Sequence, residues 1–132
     1  MSARYIDSHA HLYFDRFDDD RDAVLQRART AGFVRIINVG IDEASSRAAI
    51  ELGRANPGFC FASVGLHPTE TEIDEGALES LVATFTDLVE GARDIVVAIG
   101  EIGFDYYWDK ATPAKQAVAF RRQLRLAETL GL

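Results

Sequence analysis

The sequence predicts an α/β fold of parallel strands, each followed by a helix, and three observations carry that expectation. Short apolar runs alternate four times with longer amphipathic stretches along the 132 residues, the pattern of repeated strand–helix units with right-handed crossovers. The apolar runs are nearly continuous, as expected of strands covered on both faces. His11, His67 and Glu101 fall at or just past the ends of those runs, where such folds place their active sites. A small open sheet and part of a (β/α)₈ barrel both fit at this level.

Element by element, the first strand reads as Tyr5 to Leu12 despite its polar content. The stretch from Asp19 to Ala31 opens on acids and closes on Arg27 and Arg29 before Gly32, which suits the helix macrodipole and a left-handed terminator. The second strand, Val34 to Ile41, leads to Asp42 as a helix N-cap, and Asn56-Pro57-Gly58 stops that helix. The third strand is Phe59 to Leu66 and runs into His67-Pro68. The third helix is expected over Glu75–Glu90 with Gly91 just beyond. The fourth strand, Ile95 to Glu101, is the most apolar segment. Thr112 and Pro113 then supply an N-cap and a first-turn proline. Ala117, Phe120, Leu124 and Ala127 follow at helical spacing before Gly131.

Length and composition set the remaining bounds. Hydrophobic residues make up 48% and charged residues 27%, the balance of one ordinary globular domain over residues 1–132 and not of a disordered chain. Fourteen basic against 21 acidic residues give a net charge of −7. That excludes nucleic-acid binding through a broad basic surface, yet it is compatible with a phosphate substrate held by bound cations. Cys60 is the one cysteine, so a disulfide-stapled secreted scaffold is excluded. No apolar run approaches the roughly 18 residues of a membrane span, and the N-terminus carries no signal-peptide pattern; the expectation is a cytoplasmic protein without membrane contact. No glycine-rich phosphate-binding motif is present.

Three constellations carry chemistry. In Asp7-x-His9-x-His11, residues two apart on a strand project to one face, so both imidazoles can bind one divalent cation with Asp7 behind them to fix a tautomer. The plainer alternative is two histidines on a half-buried strand. Glu101 ends the most apolar strand and is flanked by Gly100 and Gly103; a carboxylate there needs a metal, a cation or several donors, or else faces solvent in the loop. The glycines allow close backbone approach to a ligand. His67, held extended before Pro68, can contact a phosphate or donate a proton, or simply cap the loop. Tyr106, Tyr107 and Trp108 can stack on a base, although such a cluster more often packs against its own helix. Cys60 reads as a small core residue.

Taken together, these motifs resemble those of the TatD-like metal-dependent hydrolases. Asp7-Ser8-His9-Ala10-His11-Leu12 is similar to the opening signature of that family. Gly65-Leu66-His67-Pro68 and Gly100-Glu101-Ile102-Gly103-Phe104-Asp105-Tyr106 resemble its second and third blocks. Lys115-Gln116, Phe120, Gln123-Leu124 and Ala127 resemble the helix that follows. The departures are small: Ala10 stands where many members carry Cys, and Phe104 where Leu is usual.

The resemblance implies a (β/α)₈ barrel of the amidohydrolase-like type and a divalent-metal-dependent deoxyribonuclease with DNA as substrate. By position, His9 and His11 would bind one metal ion and Glu101 would bridge it to a second. His67 would lie near the substrate phosphate, and Asp7 and Asp105 would sit beside the ligands or the substrate. Glu101 and His67 are thus the expected catalytic groups. Hydrolysis would proceed by in-line attack of activated water while two cations neutralise developing charge. Magnesium, manganese and zinc all suit mixed imidazole and carboxylate ligands.

A whole barrel takes about 250 residues, and no histidine follows His67. In the family, two further histidines and an aspartate come from later strands. The expectation is therefore the N-terminal half of such a barrel, about the first four of eight units, inactive or weakly active alone. Two alternatives stand beside it: hydrolysis of an amide or ester at the same metal site, and a catalytically inactive half-barrel that serves as a self-association module. Unpaired sheet edges and uncovered interior side chains lead to an expected self-association of the isolated fragment, against a monomer for a whole barrel.

Overall fold

The computed structural model describes residues 4–132, and its frame is one parallel sheet in the order β1-β2-β3-β4. The strands are β1 (Tyr5–Ala10), β2 (Phe33–Val39), β3 (Cys60–Val64) and β4 (Val96–Ile99). Each is followed by a helix: α1 (Arg21–Thr30), α2 (Glu43–Ala55), α3 (Glu75–Glu90) and α4 (Pro113–Leu130). Sequential strands pair directly, as in the first half of a (β/α)₈ barrel. The β2–β3 ladder runs without interruption from Ile36–Cys60 to Val39–Ser63. The β1–β2 register slips between Asp7 and Ala10, so the sheet is irregular where His9 stands.

Local chemistry sets the helix boundaries. The Asp42 carboxylate accepts the Ser45 N–H at 2.7 Å, and the Ser45 hydroxyl accepts the Asp42 N–H at 2.9 Å. This reciprocal box satisfies N–H groups that the first turn of α2 leaves without a partner. Asp74 caps α3 through the Ala77 N–H, and Thr112 with Pro113 opens α4. Gly131 ends α4 in the left-handed region. Gly91, just beyond α3, keeps right-handed helical angles, and its N–H closes the helix end on the Asp87 and Val89 carbonyls. Every strand ends about two residues before its apolar run does; β3 and β4 also start one residue later, β1 starts with its run at Tyr5, and β2 starts one residue earlier, at Phe33.

The core lies between the sheet and its helices. Ala49 and Ile50 of α2, Phe85 and Val89 of α3, and Ala119, Leu126 and Leu130 of α4 pack on Ala62, Val64, Val96 and Ile99. A smaller cluster joins Leu12, Leu25, Ile36, Leu52, Phe59 and Cys60 beneath α1. Phe85 is 1% exposed, and truncating a ring so placed costs about 3–5 kcal/mol. Burial pushes the Cys60 thiol up to about 11, in keeping with its reading as a core residue.

The opposite face corrects the expectation of strands covered on both sides. Ile6 and Val97 are 55% and 41% exposed, and they line one open groove with Arg35, Ile37 and Phe61. These are alternate strand positions, which point to the side away from the helices. Among the described residues, no helix is long and apolar enough to cross a membrane.

Candidate metal centre

His9 and His11 leave the irregular end of β1 on the same side, and their Nε2 atoms stand 3.2 Å apart. The His9 N–H, inside the slipped register, is taken by the Asp7 carboxylate at 3.0 Å. Asp7 therefore shapes the strand end through the backbone. The role expected for it, an acceptor on an imidazole, belongs to another residue. His11 Nδ1 lies 2.9 Å from the Tyr13 hydroxyl, which donates to the Val39 carbonyl at 2.7 Å. The single hydroxyl proton is thereby committed, so Tyr13 accepts the proton on His11 Nδ1, and the lone pair of the ring sits on Nε2, facing His9. Burial, and after it the neighbouring His9 ring, hold the His11 imidazole below its ordinary 6.5. Burial likewise raises the Tyr13 phenol to about 12.

Glu101 arrives from the end of β4. Its N–H donates to the Gly40 carbonyl at 2.7 Å, and the Gly100 N–H donates to the Val64 carbonyl at 2.9 Å. Gly65 makes this approach possible: a Cβ there would stand 2.7 Å from the Gly100 carbonyl carbon and 2.9 Å from its oxygen. A Cβ on Gly100 would meet no protein atom closer than 3.6 Å, so within the chain the crowding that demands glycine is backbone on backbone at Gly65. Gly103, at φ 138°, occupies a region that side chains disfavour.

The two oxygens of the carboxylate face different histidines. Oε2 is 3.4 Å from His9 Nε2, and Oε1 is 3.6 Å from His67 Nε2. His67 is the more enclosed of the two histidines, its side chain 20% exposed against 53% for His9. Its Nδ1 accepts the Thr69 N–H at 3.2 Å. The Thr69 hydroxyl also lies 2.7 Å from Nδ1 and 3.0 Å from the Glu70 carboxylate, and it can rotate to donate to either. The backbone N–H is fixed and needs the lone pair on Nδ1, so a neutral His67 ring carries its proton on Nε2, pointed at Glu101.

His9, His11, Glu101 and His67 are thus gathered at the strand ends. Asp105 is not part of that gathering: its carboxylate accepts the N–H groups of Tyr107 and Trp108 and closes a turn of its own loop. The aromatics beyond it differ from the packed cluster expected of such a loop. Phe104 rests on Phe120 of α4, with ring centroids 5.1 Å apart, whereas Tyr106, Tyr107 and Trp108 are exposed. Tyr13 is the contributor that the sequence reading missed. It continues the alternation of His9 and His11, and that spacing was the available signal.

The donor set fits a divalent cation. Two donors each about 2.0–2.2 Å from one ion, at tetrahedral to octahedral angles, stand about 3.0–3.5 Å apart. The His9–His11 and His9–Glu101 separations of 3.2 and 3.4 Å match this. All three ligand atoms lie within 4.8 Å of one another.

Residues 6–132 match the family model described as TatD related DNase. The chain is 37% identical over 126 residues to the uncharacterized metal-dependent hydrolase YabD of Bacillus subtilis, covering 96% of this chain and 47% of that protein. It is 34% identical over 128 residues to the 3'-5' ssDNA/RNA exonuclease TatD of Musicola paradisiaca, covering 92% and 44%. The crystal structure of YjjV, a TatD homolog from Escherichia coli, superposes on the whole chain with a TM-score of 0.85 at 31% identity, and 49% of that structure is covered. The chain spans about half the length of the curated relatives it matches.

Proposed function

This chain belongs to the family of TatD-related DNases, and on that premise we propose that it supplies the His9–His11–Glu101 part of a metal-dependent phosphodiesterase acting on nucleic acid. The observation that carries this reading is the convergence of two imidazoles and a carboxylate at metal-ligand spacing. His9 and His11 would hold one divalent cation, and Glu101 would bridge it to a second. When bound, such cations supply Lewis acidity to a phosphodiester and lower the pKa of the attacking water.

The chain's own residues set the stage for that chemistry. Tyr13 keeps a lone pair on His11 Nε2. His67 presents an N–H donor beside Glu101, suited to an anionic phosphate oxygen. The exposed rings of Tyr106, Tyr107 and Trp108 on the loop after Glu101 suit stacking on unpaired bases, which ties substrate choice to single strands. The neighbouring names, ssDNA/RNA exonucleases among them, support a nucleic-acid substrate.

The chain is proposed as the first half of a barrel domain, in which later strands would complete the ligands of the second cation. The open groove lined by Ile6, Arg35, Ile37, Phe61 and Val97 is then the barrel interior, and it is the surface through which the isolated chain would self-associate, to be read by light scattering.

Hydrolysis of labelled single-stranded DNA, duplex DNA, an ester and an amide by the 132-residue chain, with each metal added in turn, tests the reading. Slow, metal-dependent cleavage of single-stranded DNA that Glu101→Ala abolishes is the expected outcome. Amide or ester hydrolysis without phosphodiester cleavage overturns the substrate assignment. Fast DNA cleavage by the monomeric chain overturns the half-site.

A further inference from the structure

Gln116 and Gln123 stand seven residues apart on α4 and share one stripe of the helix. Each is only 1% exposed. A primary amide with a donor and an acceptor to satisfy is an expensive group to bury in a helix–sheet interface. Each of these two spends both functions on backbone of a loop that carries or follows a site residue. Gln123 Oε1 accepts the Leu66 N–H at 2.7 Å, and its Nε2 donates to the Leu66 carbonyl at 3.1 Å. Gln116 Oε1 accepts the Asp105 N–H at 2.8 Å, and its Nε2 donates to the Asp105 and Ala111 carbonyls at 2.9 and 3.0 Å.

The two clamped residues are not arbitrary. The Leu66 carbonyl belongs to the peptide that leads into His67, whose own N–H donates to the Ile41 carbonyl at 2.8 Å. The chain entering His67 is therefore pinned from the helix side by Gln123 and from the β2 side by Ile41. Asp105 and Ala111 bracket residues 106–110 of the loop that follows Glu101, so Gln116 draws both ends of that aromatic segment onto α4. A planar amide making two hydrogen bonds to one residue fixes both position and peptide orientation, much as a neighbouring strand would. Beyond Val64 the sheet has ended, and the side chain of Gln123 continues the restraint.

We infer that Gln123 is a positioning residue for His67, setting where the imidazole stands against Glu101, and that Gln116 independently positions the loop bearing Tyr106, Tyr107 and Trp108. The functional weight of this inference rests on the reading of His67 and that loop as parts of the site; the positioning itself does not require a bound metal.

The chain offers its own reporters: three histidines and one tryptophan, Trp108. Long-range ¹H–¹⁵N spectra of the histidine rings, together with Trp108 fluorescence, are recorded on wild type, Gln123→Met and Gln116→Met, each first checked for a cooperative melt. Gln123→Met is expected to shift the two ring nitrogens of His67 toward tautomer averaging, while His9, His11 and Trp108 keep their signals. Gln116→Met is expected to shift Trp108 emission and leave His67 unchanged. Gln123→Glu, which keeps an acceptor for the Leu66 N–H, is expected to restore most of the His67 signature. If either Met variant does not melt cooperatively, the Glu variant at that position carries the comparison, with a smaller shift of the same reporter expected. Variants that lower the melting temperature without moving their reporter, or that move both reporters together, overturn the inference. Cobalt(II) titration of the same samples keeps the two questions apart: it probes His9, His11 and Glu101, so failure of metal binding counts against the proposed function and not against the clamp.

Discussion

His11 and His67 are the same residue type at the ends of β1 and β3, with β2 between them, yet their surroundings give the two rings opposite polarity. The Tyr13 hydroxyl, committed to Val39, accepts the Nδ1 proton of His11 and leaves a lone pair on Nε2. The Thr69 N–H, donated to His67 Nδ1, leaves the proton on Nε2. Toward the site one ring presents a lone pair and the other a proton. The atom that faces the site is Nε2 in both cases, so the division of labour comes from the partner on the far side of each ring.

The largest effect expected from breaking this contrast is at the ligands. His9→Ala or Glu101→Ala removes one of three donors, and cobalt(II) absorbance titration is expected to show no measurable binding at the wild-type concentration range. Tyr13→Phe leaves every proposed ligand in place and frees the His11 tautomer; metal affinity is expected to fall about 10–100-fold. A Tyr13→Phe chain with unchanged affinity would remove the hydroxyl from the account.

Proton linkage sharpens the contrast further. Burial lowers the His11 pKa in the folded chain, so the unfolded ring binds a proton more readily, and stability is lost as pH falls below the ordinary value of about 6.5. Urea unfolding of the metal-free chain at decreasing pH is expected to show this loss, and His11→Gln is expected to reduce it. Tyr13 gives the alkaline counterpart. Its folded pKa of about 12 lies above the ordinary 10.0, so stability is lost as pH rises from the lower value toward the higher one, and Tyr13→Phe is expected to flatten that decline. The smallest effect is at His67: His67→Gln keeps a donor near Glu101, and metal affinity is expected to stay at the wild-type level.

Much of this was legible in the sequence, for local reasons. Asp42, Thr112 and Pro113 announce helix starts because a cap acts within three or four residues of itself. The helix expected over Glu75–Glu90 has those bounds in the structure. The pairing of His9 with His11 follows from strand alternation, and the placement of Glu101 follows from its position at the end of an apolar run. What was not legible depends on competition or on distance. Asp7 and Asp105 were read as partners of the site, but a carboxylate beside an unpaired N–H two residues on finds that nearer donor first, and both did. Gln123 lies 57 residues from Leu66, so only the folded chain reveals the contact. The inner face of the sheet was read as covered because apolar runs alone do not say which side meets a helix.

In the proposed site, His9, His11 and Glu101 share one cation while His67 stays outside its coordination sphere. Anomalous scattering from crystals of this chain grown with zinc or cobalt(II) tests it most directly. The expected result is a peak about 2.0–2.2 Å from His9 Nε2, His11 Nε2 and a Glu101 oxygen, with Tyr13 still on His11 Nδ1 and Thr69 still on His67 Nδ1. A peak ligated through His67 Nε2, or no peak among the three donors at saturating metal, would contradict it.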